Sequence, residues 1–323
     1  MSYIEIGILI FITIILGKIA KKLKISEVVG QLLSGIILGV SFLNVVHATQ
    51  LIHTLAEIGI LMLMFNSGMS SDIKAMRKYI KASMLVAVMG VVVPAIVFPI
   101  AFLLLGYSLN VSLFAGVVFS ATSISITLAV LAEQKKLATT MGAVILSAAV
   151  VDDVIALIAV MAFSIIFGGG ILGVGSILPL IAFALGIFLG KTSFAVNLTS
   201  VSNHIGDRFL YPIFFGAIGL EVAIQGLSNK LIPIAVFSVL AIMTKFSGSF
   251  IGAKIAGINT PVANAIGAGM ISRGEMALII TQIGLSSHMI DESISGEFIV
   301  TIIISTIVAP IIMKPLFTKV SQN

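Results

Sequence analysis

Cysteine and charge are what this sequence has least of. None of its 323 residues is cysteine, which excludes disulfides, thiolate nucleophiles and thiolate metal sites. Only 10% of the residues are charged, whereas 59% are hydrophobic and the mean hydropathy is +1.23, values far outside those of a soluble domain. The sequence therefore predicts an all-α integral membrane protein. Its net charge of +5 is explained by membrane topology, and no nucleic-acid partner is expected.

Signatures of enzymes and of targeting segments are also missing. The sequence contains no phosphate-binding loop, zinc signature or nucleophile elbow, so neither an enzyme activity nor a cofactor is expected. The first apolar run is followed by Lys21, Lys22 and Lys24 rather than preceded by basic residues, and no small-residue cleavage site follows it. This pattern indicates a membrane helix and not a signal peptide.

Windows of about twenty apolar residues predict eleven transmembrane helices in one membrane domain, residues 1–323. Basic residues concentrate in alternate connections, so the positive-inside rule places the N-terminus outside and the C-terminus in the cytoplasm. We expect a multi-pass protein of the cell (plasma) membrane. The predicted helices are 3–20, 26–47, 51–71, 81–106, 109–133, 137–168, 172–191, 207–227, 231–253, 262–287 and 296–317.

Glycines recur in this sequence at a constant offset of 151 residues. The offset maps residues 26–168 onto residues 172–317, which are five predicted helices each. Because five is odd, the two halves are expected to lie in opposite orientations, as in the inverted repeats of secondary transporters. The matching pairs are Gly35 with Gly186, Gly39 with Gly190, Gly68 with Gly219 and Gly116 with Gly267.

Two adjacent acids, Asp152 and Asp153, lie near the middle of the sixth predicted helix. A charge at that depth costs from about 3 to more than 10 kcal/mol, so a partner is expected, and Lys245 near the middle of the ninth helix is the first candidate. Adjacent residues point about 100° apart, so one acid can pair with the lysine while the other faces water. An unpaired acid that titrates near neutral pH makes a proton and a cation compete. The alternatives are acids at a helix end and a lysine that snorkels to the interface.

The tenth predicted helix carries Arg273 and Glu275 at mid-depth, next to several glycines. Residues two apart do not meet on a regular helix, so either this segment is unwound or each charge pairs with another helix. The stretch 151 residues earlier contains Thr122 and Ser123. Their hydroxyls could bind a cation, cap freed backbone groups or bond back to their own helix.

Five motifs together resemble monovalent cation:proton antiporters of the Nap and Kef type, in the sodium/hydrogen exchanger family. The resemblance covers almost the whole chain. The motifs are Val151-Asp152-Asp153-Val154, Thr244-Lys245, Ser272-Arg273-Gly274-Glu275, and the stretches 64–69 and 212–221.

The resemblance implies two discontinuous helices that cross at mid-membrane, a core domain with the ion site, a dimerisation domain and elevator-like alternating access. Asp153 then matches the acid that binds the proton or the transported metal cation, and Asp152 matches the neighbour that pairs with Lys245. Thr122 and Ser123 match the first crossover. Arg273 and Glu275 match the second crossover and, with Lys245, compensate charge.

The sequence departs from the family pattern in two respects. About two helices are missing between the sixth and the eighth, which affects the dimerisation domain and leaves a homodimer possible. We also expect no cytoplasmic nucleotide-binding domain like that of Kef-type proteins, and therefore no nucleotide gating.

The function predicted first is sodium/proton antiport, and the expected partners are H⁺, Na⁺ (or K⁺ or Li⁺) and the lipid bilayer. Potassium/proton antiport is the alternative with the same mechanism. Two other classes stay open: a Na⁺-coupled organic-anion symporter with Arg273 as anion ligand, and a non-transporting ion sensor. The acid pair with Lys245 favours exchange, because an organic-anion site has no use for adjacent acids.

Overall fold

The computed structural model describes residues 2–23, 25–69, 73–137, 139–167, 174–192, 195–222 and 227–320. All regular secondary structure in these ranges is helical. A π-helical segment, Gly206–Leu210, precedes α10, and a 3-10 turn, Leu227–Lys230, precedes α11. The α-helices are Ser2–Lys22 (α1), Glu27–Leu38 (α2), Gln50–Met69 (α3), Ile73–Leu104 (α4), Leu109–Val118 (α5), Ile124–Glu133 (α6), Thr140–Phe167 (α7), Val174–Leu189 (α8), Ala195–Ile205 (α9), Tyr211–Glu221 (α10), Leu231–Ile255 (α11), Thr260–Gly269 (α12), Glu275–Ser286 (α13) and Glu292–Thr318 (α14).

Within the described residues, six helices are long and apolar enough to cross a membrane. Their exposed faces are themselves apolar. On α4, for example, Val88, Val92, Ile96 and Ile100 repeat every four residues and are 38–56% exposed. Such a stripe is unfavourable in water and suits the hydrocarbon of a bilayer. The chain is a multi-pass membrane protein. The six spans are Tyr3–Lys22, Gln50–Met69, Lys78–Leu104, Thr140–Phe167, Leu231–Ile255 and Glu292–Thr318.

Two of the predicted helices are wrong in extent. The predicted helix 26–47 ends at Leu38, because Gly39 is extended and Asn44 turns the chain with a φ of 51°. The predicted helix 207–227 is the end of a longer series, in which α9 and the π-helical segment lead into α10. That series stops at Glu221, since the next residue is extended. Lys24 and the predicted helix ends at 70–71, 168, 172–173 and 223–226 fall outside the described residues.

The described residues form two compact units, and the first combines residues of 1–71, 172–229 and 291–296. Glycines let its helices meet backbone to backbone. A Cβ on Gly35 of α2 would lie 2.0 Å from the Gly216 oxygen of α10, and a Cβ on Gly186 of α8 would lie 2.1 Å from the Phe65 oxygen of α3. Six of the eight recurring glycines are therefore helix contacts in this unit: Gly35, Gly39, Gly68, Gly186, Gly190 and Gly219.

Replacing Gly35 with alanine is expected to destabilise the protein by about 1–3 kcal/mol, because the new methyl group overlaps a backbone that cannot move aside. Gly7→Ala in α1 is the matched control, since a Cβ there meets nothing within 4 Å. Alanine favours a helix over glycine by up to about 1 kcal/mol, so the control should gain stability. Thermal unfolding in detergent, followed by size-exclusion fluorescence, measures both shifts. Equal midpoints for the two variants would contradict the contact.

The second unit combines residues of 72–171, 230–290 and 297–323, and contains two interrupted helices. The first, α5 and α6, breaks at 119–123. The second, α12 and α13, breaks at 270–274. The breaks are 151 residues apart, the offset found in the sequence. An apolar cluster that includes Val86, Leu131, Ile145 and Ile266 packs on one side of them.

The same local signals begin both interrupted helices. Gly106 and Gly257 turn the chain with φ of 86° and 83°, a left-handed conformation that glycine adopts without a Cβ clash. Two residues after each glycine comes the N-cap, Ser108 for α5 and Asn259 for α12. The N-cap side chain accepts a hydrogen bond from the backbone N–H of the third helical residue, which is Val111 in α5 and Val262 in α12. The two starts are therefore encoded in the same way, 151 residues apart.

Candidate functional site

The two breaks of the second unit lie against each other. Ser123 N donates to Ser272 O at 2.8 Å, and Ser272 Oγ donates to Ser123 O at 2.9 Å. Thr127 Oγ1 donates to Gly269 O at 2.7 Å. Backbone groups that an unbroken helix would satisfy internally are thus satisfied across the breaks, which is what unwound backbone in a membrane requires. We call this contact, together with the charged side chains around it, the crossing. These side chains are Asp152, Asp153, Lys245, Arg273 and Glu275.

Two buried cations bind carbonyl oxygens of the first break, just beyond the C-terminal end of α5. Lys245 Nζ donates to Ser120 O, and Arg273 Nη1 donates to Ala121 O at 2.8 Å. Arg273 Nη2 donates to Ala241 O of α11 at 3.0 Å. Carbonyl oxygens of unwound backbone need hydrogen-bond donors inside a membrane, and the two cations supply them. Lys245 and Arg273 therefore hold the first break open.

Asp152 forms the ion pair expected from the sequence. Its Oδ2 lies 2.7 Å from Lys245 Nζ, and both side chains are fully buried. The same oxygen accepts a hydrogen bond of 2.5 Å from Thr122 Oγ1 in the first break. A lysine that snorkels to the interface is excluded by this geometry.

Asp153 has a different environment from its neighbour. It is 4% exposed, and its Oδ1 has no hydrogen-bond partner among the described residues. The charged groups that act on it are Asp152, Glu275 and Lys245. The two adjacent acids therefore have different surroundings, because they point in different directions from α7. Asp152 is paired with a lysine, whereas Asp153 Oδ1 has no hydrogen-bond partner among the described residues.

Glu275 lies in the first turn of α13, where the helix dipole favours an acid. Its Oε2 accepts a hydrogen bond of 2.9 Å from Ser123 Oγ. A Cβ on Gly274 would come within 2.6 Å of that hydroxyl, so glycine is needed for this approach. The two hydroxyls predicted together thus have separate acids: Thr122 binds Asp152 and Ser123 binds Glu275. The backbone of Arg273 is fixed by α14, because the Arg273 carbonyl oxygen accepts a hydrogen bond of 2.6 Å from Thr306 Oγ1.

The formal charges at the crossing do not cancel. Asp152, Asp153 and Glu275 are three carboxylates, while Lys245 and Arg273 are two cations. One negative charge is uncompensated when all five groups are ionised. A buried net charge is costly, so an additional positive charge would stabilise this site.

Two residues beside Lys245 were not predicted from the sequence. Ser249, one turn further along α11, is fully buried and its Oγ has no partner among the described residues. Gly90 of α4 faces both side chains: a Cβ there would lie 2.7 Å from Ser249 Oγ and 3.6 Å from Lys245 Nζ. The spacing of four from Lys245 could have identified Ser249. No sequence signal identifies Gly90.

Interrupted helices that meet at a buried charged centre are the architecture of ion-coupled membrane transporters. The family described as sodium/hydrogen exchanger, transmembrane, matches residues 7–181 and 155–319 of this chain. The chain belongs to the sodium/hydrogen exchanger family, which confirms the prediction from the motifs. It is a transporter and not an enzyme.

Several similar proteins are named as Na⁺/H⁺ antiporters. The Na⁺/H⁺ antiporter of Enterococcus hirae is 31% identical, with all of both chains covered. The probable Na⁺/H⁺ antiporter GerT of Bacillus cereus is 30% identical over 89% of this chain and 92% of its own. The Na⁺/H⁺-K⁺ antiporter GerN of Bacillus cereus is 25% identical over 98% and 96%.

Among solved structures, the sodium proton antiporter MjNhaP1 from Methanocaldococcus jannaschii at pH 8 has the same fold. The TM-score is 0.80, with 98% of each chain covered and 14% sequence identity. The alignment with the E. hirae protein spans 386 positions, more than the 323 residues of this chain, so that relative has residues without a counterpart here. The loss of about two helices after the sixth stays a prediction.

Proposed function

We propose that this chain is a secondary active antiporter that exchanges Na⁺ for protons across the cell membrane. The observation that carries this proposal is the single uncompensated negative charge at the crossing, with Asp153 as the acid that has no cationic partner of its own. The names of the E. hirae and B. cereus relatives support the same function.

Charge compensation explains why the two ions are coupled. A site with one excess negative charge is costly to move through the hydrocarbon, whereas the same site with one proton or one Na⁺ is neutral. Asp153 alternately binds a proton and a cation, and only the two loaded forms change side. Lys245 stays with Asp152 in one state and releases it as the site changes side. Thr122 keeps Asp152 oriented, while Arg273 and Glu275 keep the second break in place.

The proposed architecture is an inverted repeat of residues 26–168 and 172–317 within one domain, with eleven helices of which two are discontinuous. The offset of 151 residues between the two breaks and between their N-caps supports it. An N-terminus outside, a cytoplasmic C-terminus and a homodimer belong to the same proposal.

Na⁺ is the proposed cation, and K⁺ is the alternative because the name of GerN includes both ions. A Na⁺-coupled organic-anion symporter is disfavoured by Arg273. Two of its guanidinium nitrogens already donate to backbone carbonyls, so the side chain is engaged in holding the first break. No observation favours a non-transporting sensor.

Flux from purified protein in liposomes tests the function. With the membrane potential clamped, an outward Na⁺ gradient should acidify the lumen through exchange for external protons, as reported by a trapped pH dye. Na⁺, Li⁺ and K⁺ are supplied in turn, and we expect the largest response with Na⁺. Uptake of a labelled organic anion without proton movement would contradict antiport.

A further inference from the structure

A buried polar face runs along α14, outside the crossing. Glu297, Thr301 and Ser305 are spaced by four residues, which places them on one side of the helix, and all three are fully buried. We call these three residues the polar face of α14. Consecutive members are about 6 Å apart along the axis, and Thr306, which binds Arg273 O, lies about 13 Å from Glu297.

Ionisable groups connect Glu297 to a half-exposed surface of the same unit. The Tyr107 hydroxyl donates a hydrogen bond to Glu297 Oε2. Lys230 Nζ lies 3.2 Å from Glu297 Oε1 and 3.4 Å from Tyr107 Oη, and its side chain is 38% exposed. Burial and the hydrogen bond to Glu297 raise the pKa of Tyr107, which keeps it the donor. Within the described residues, Lys230 and Tyr107 are the titratable groups that contact Glu297.

Two polar atoms of this face lack hydrogen bonds. Glu297 Oε1 is within ion-pair distance of Lys230 but has no aligned hydrogen bond, and Thr301 Oγ1 has no partner among the described residues. Buried polar groups on consecutive turns are commonly satisfied by water, and one water molecule can bridge groups about 5–6 Å apart. Ser305 Oγ donates to Ile302 O and keeps lone pairs to accept from such a water.

Aromatic rings enclose the same end of the unit. Phe298 packs at 5.7 Å from Phe102 and 5.2 Å from Phe119, and Phe102 stacks on Phe237 at 3.8 Å. All four side chains are fully buried. These rings offer no oxygen ligands, and the Lys230 ammonium, 3.2 Å from Glu297 Oε1, repels a metal cation from the oxygens of the polar face. A proton needs only a file of hydroxyls and water.

We propose that the polar face of α14 conducts protons between the cluster of Lys230, Tyr107 and Glu297 and the crossing, apart from the path of the metal cation. The proposal rests on the proposed antiport. A hydronium ion at the half-exposed surface loses one O–H bond and becomes water, its proton forms an O–H bond on the Glu297 carboxylate, and the ion pair with Lys230 is lost. That bond then breaks as the proton passes to the next water, and the carboxylate pairs with Lys230 again.

Comparison of two exchange modes tests the proposal. Liposomes with the purified protein are assayed for Na⁺/H⁺ exchange and, with radioactive Na⁺ on one side, for Na⁺/Na⁺ exchange, which needs no proton. Thr301→Val and Glu297→Gln should lower Na⁺/H⁺ exchange about tenfold or more and leave Na⁺/Na⁺ exchange unchanged. Thr301→Ser, which keeps the hydroxyl, and Glu292→Gln, an exposed acid at the start of α14, should retain both modes.

The outcomes separate the two proposals. Unchanged Na⁺/H⁺ exchange in Thr301→Val and Glu297→Gln would overturn the proton path, and so would an equal loss of both modes, because a structural role lowers both. Thr301→Ser behaving like Thr301→Val would also overturn it. Na⁺/Na⁺ exchange without Na⁺/H⁺ exchange in the unaltered protein would instead contradict the proposed antiport.

Discussion

Asp153→Asn is expected to reduce Na⁺/H⁺ exchange to the level of protein-free liposomes. The substitution keeps the size of the side chain and removes its charge, so the crossing is neutral without any bound ion and has nothing to exchange. The same change removes an unpaired buried charge, which is costly in the folded state. Asp153→Asn should therefore unfold at a higher temperature than the unaltered protein in Na⁺-free buffer.

The measurement combines flux with thermal unfolding. A pH dye reports exchange, and size-exclusion fluorescence reports the unfolding midpoint with and without Na⁺. Na⁺ should stabilise the unaltered protein and the Glu292→Gln control, but not Asp153→Asn, because a ligand stabilises only the fold that binds it. Retained exchange, or an undiminished shift with Na⁺, would show that another group binds the cation.

Removal of one partner of the Asp152–Lys245 pair is expected to destabilise the protein strongly, and removal of both much less. The pair is 2.7 Å apart and fully buried, so Lys245→Met leaves Asp152 with only the Thr122 hydroxyl. Loss of one partner of a buried pair costs about 3–5 kcal/mol, whereas an uncharged replacement of both is often near neutral. The double variant Asp152→Asn/Lys245→Met should thus recover most of the stability lost by Lys245→Met.

A double-mutant cycle of unfolding midpoints measures this coupling. Gly7→Ala serves as the control for handling and expression, since its site is open. A double variant whose loss equals the sum of the two single losses would contradict a direct pair. The exchange activity of the double variant Asp152→Asn/Lys245→Met should stay low. Lys245 also binds the Ser120 carbonyl oxygen in the first break, and methionine cannot replace that hydrogen bond.

The pairing of Asp152 with Lys245 was predictable from the sequence for a physical reason. A charge is so unfavourable in hydrocarbon that its partner must be another of the few charges at the same depth. Lys245 was the lysine that met this condition, and it pairs with Asp152. The constant glycine offset was likewise visible, since close helix contacts leave glycine no substitute.

Contacts made by the crossing could not be predicted in the same way. Every residue has a carbonyl oxygen, so the sequence does not show that those of Ser120 and Ala121 are free to bind Lys245 and Arg273. The contact of Ser123 with Glu275 depends on how two distant breaks meet. No signal in the sequence shows that Glu297 is buried, because its burial follows from contacts with Tyr107 and the surrounding rings.

Competition of Na⁺ and H⁺ for Asp153 is tested most directly by calorimetry of Na⁺ binding in buffers of different ionisation enthalpy. The heat difference between buffers gives the number of protons released. Competition at one carboxylate predicts release of about one proton per Na⁺ on the acidic side, with an affinity that weakens about tenfold for each pH unit there. Asp153→Asn should show neither Na⁺ binding nor proton release. Na⁺ binding that releases no proton at any pH would contradict a shared site.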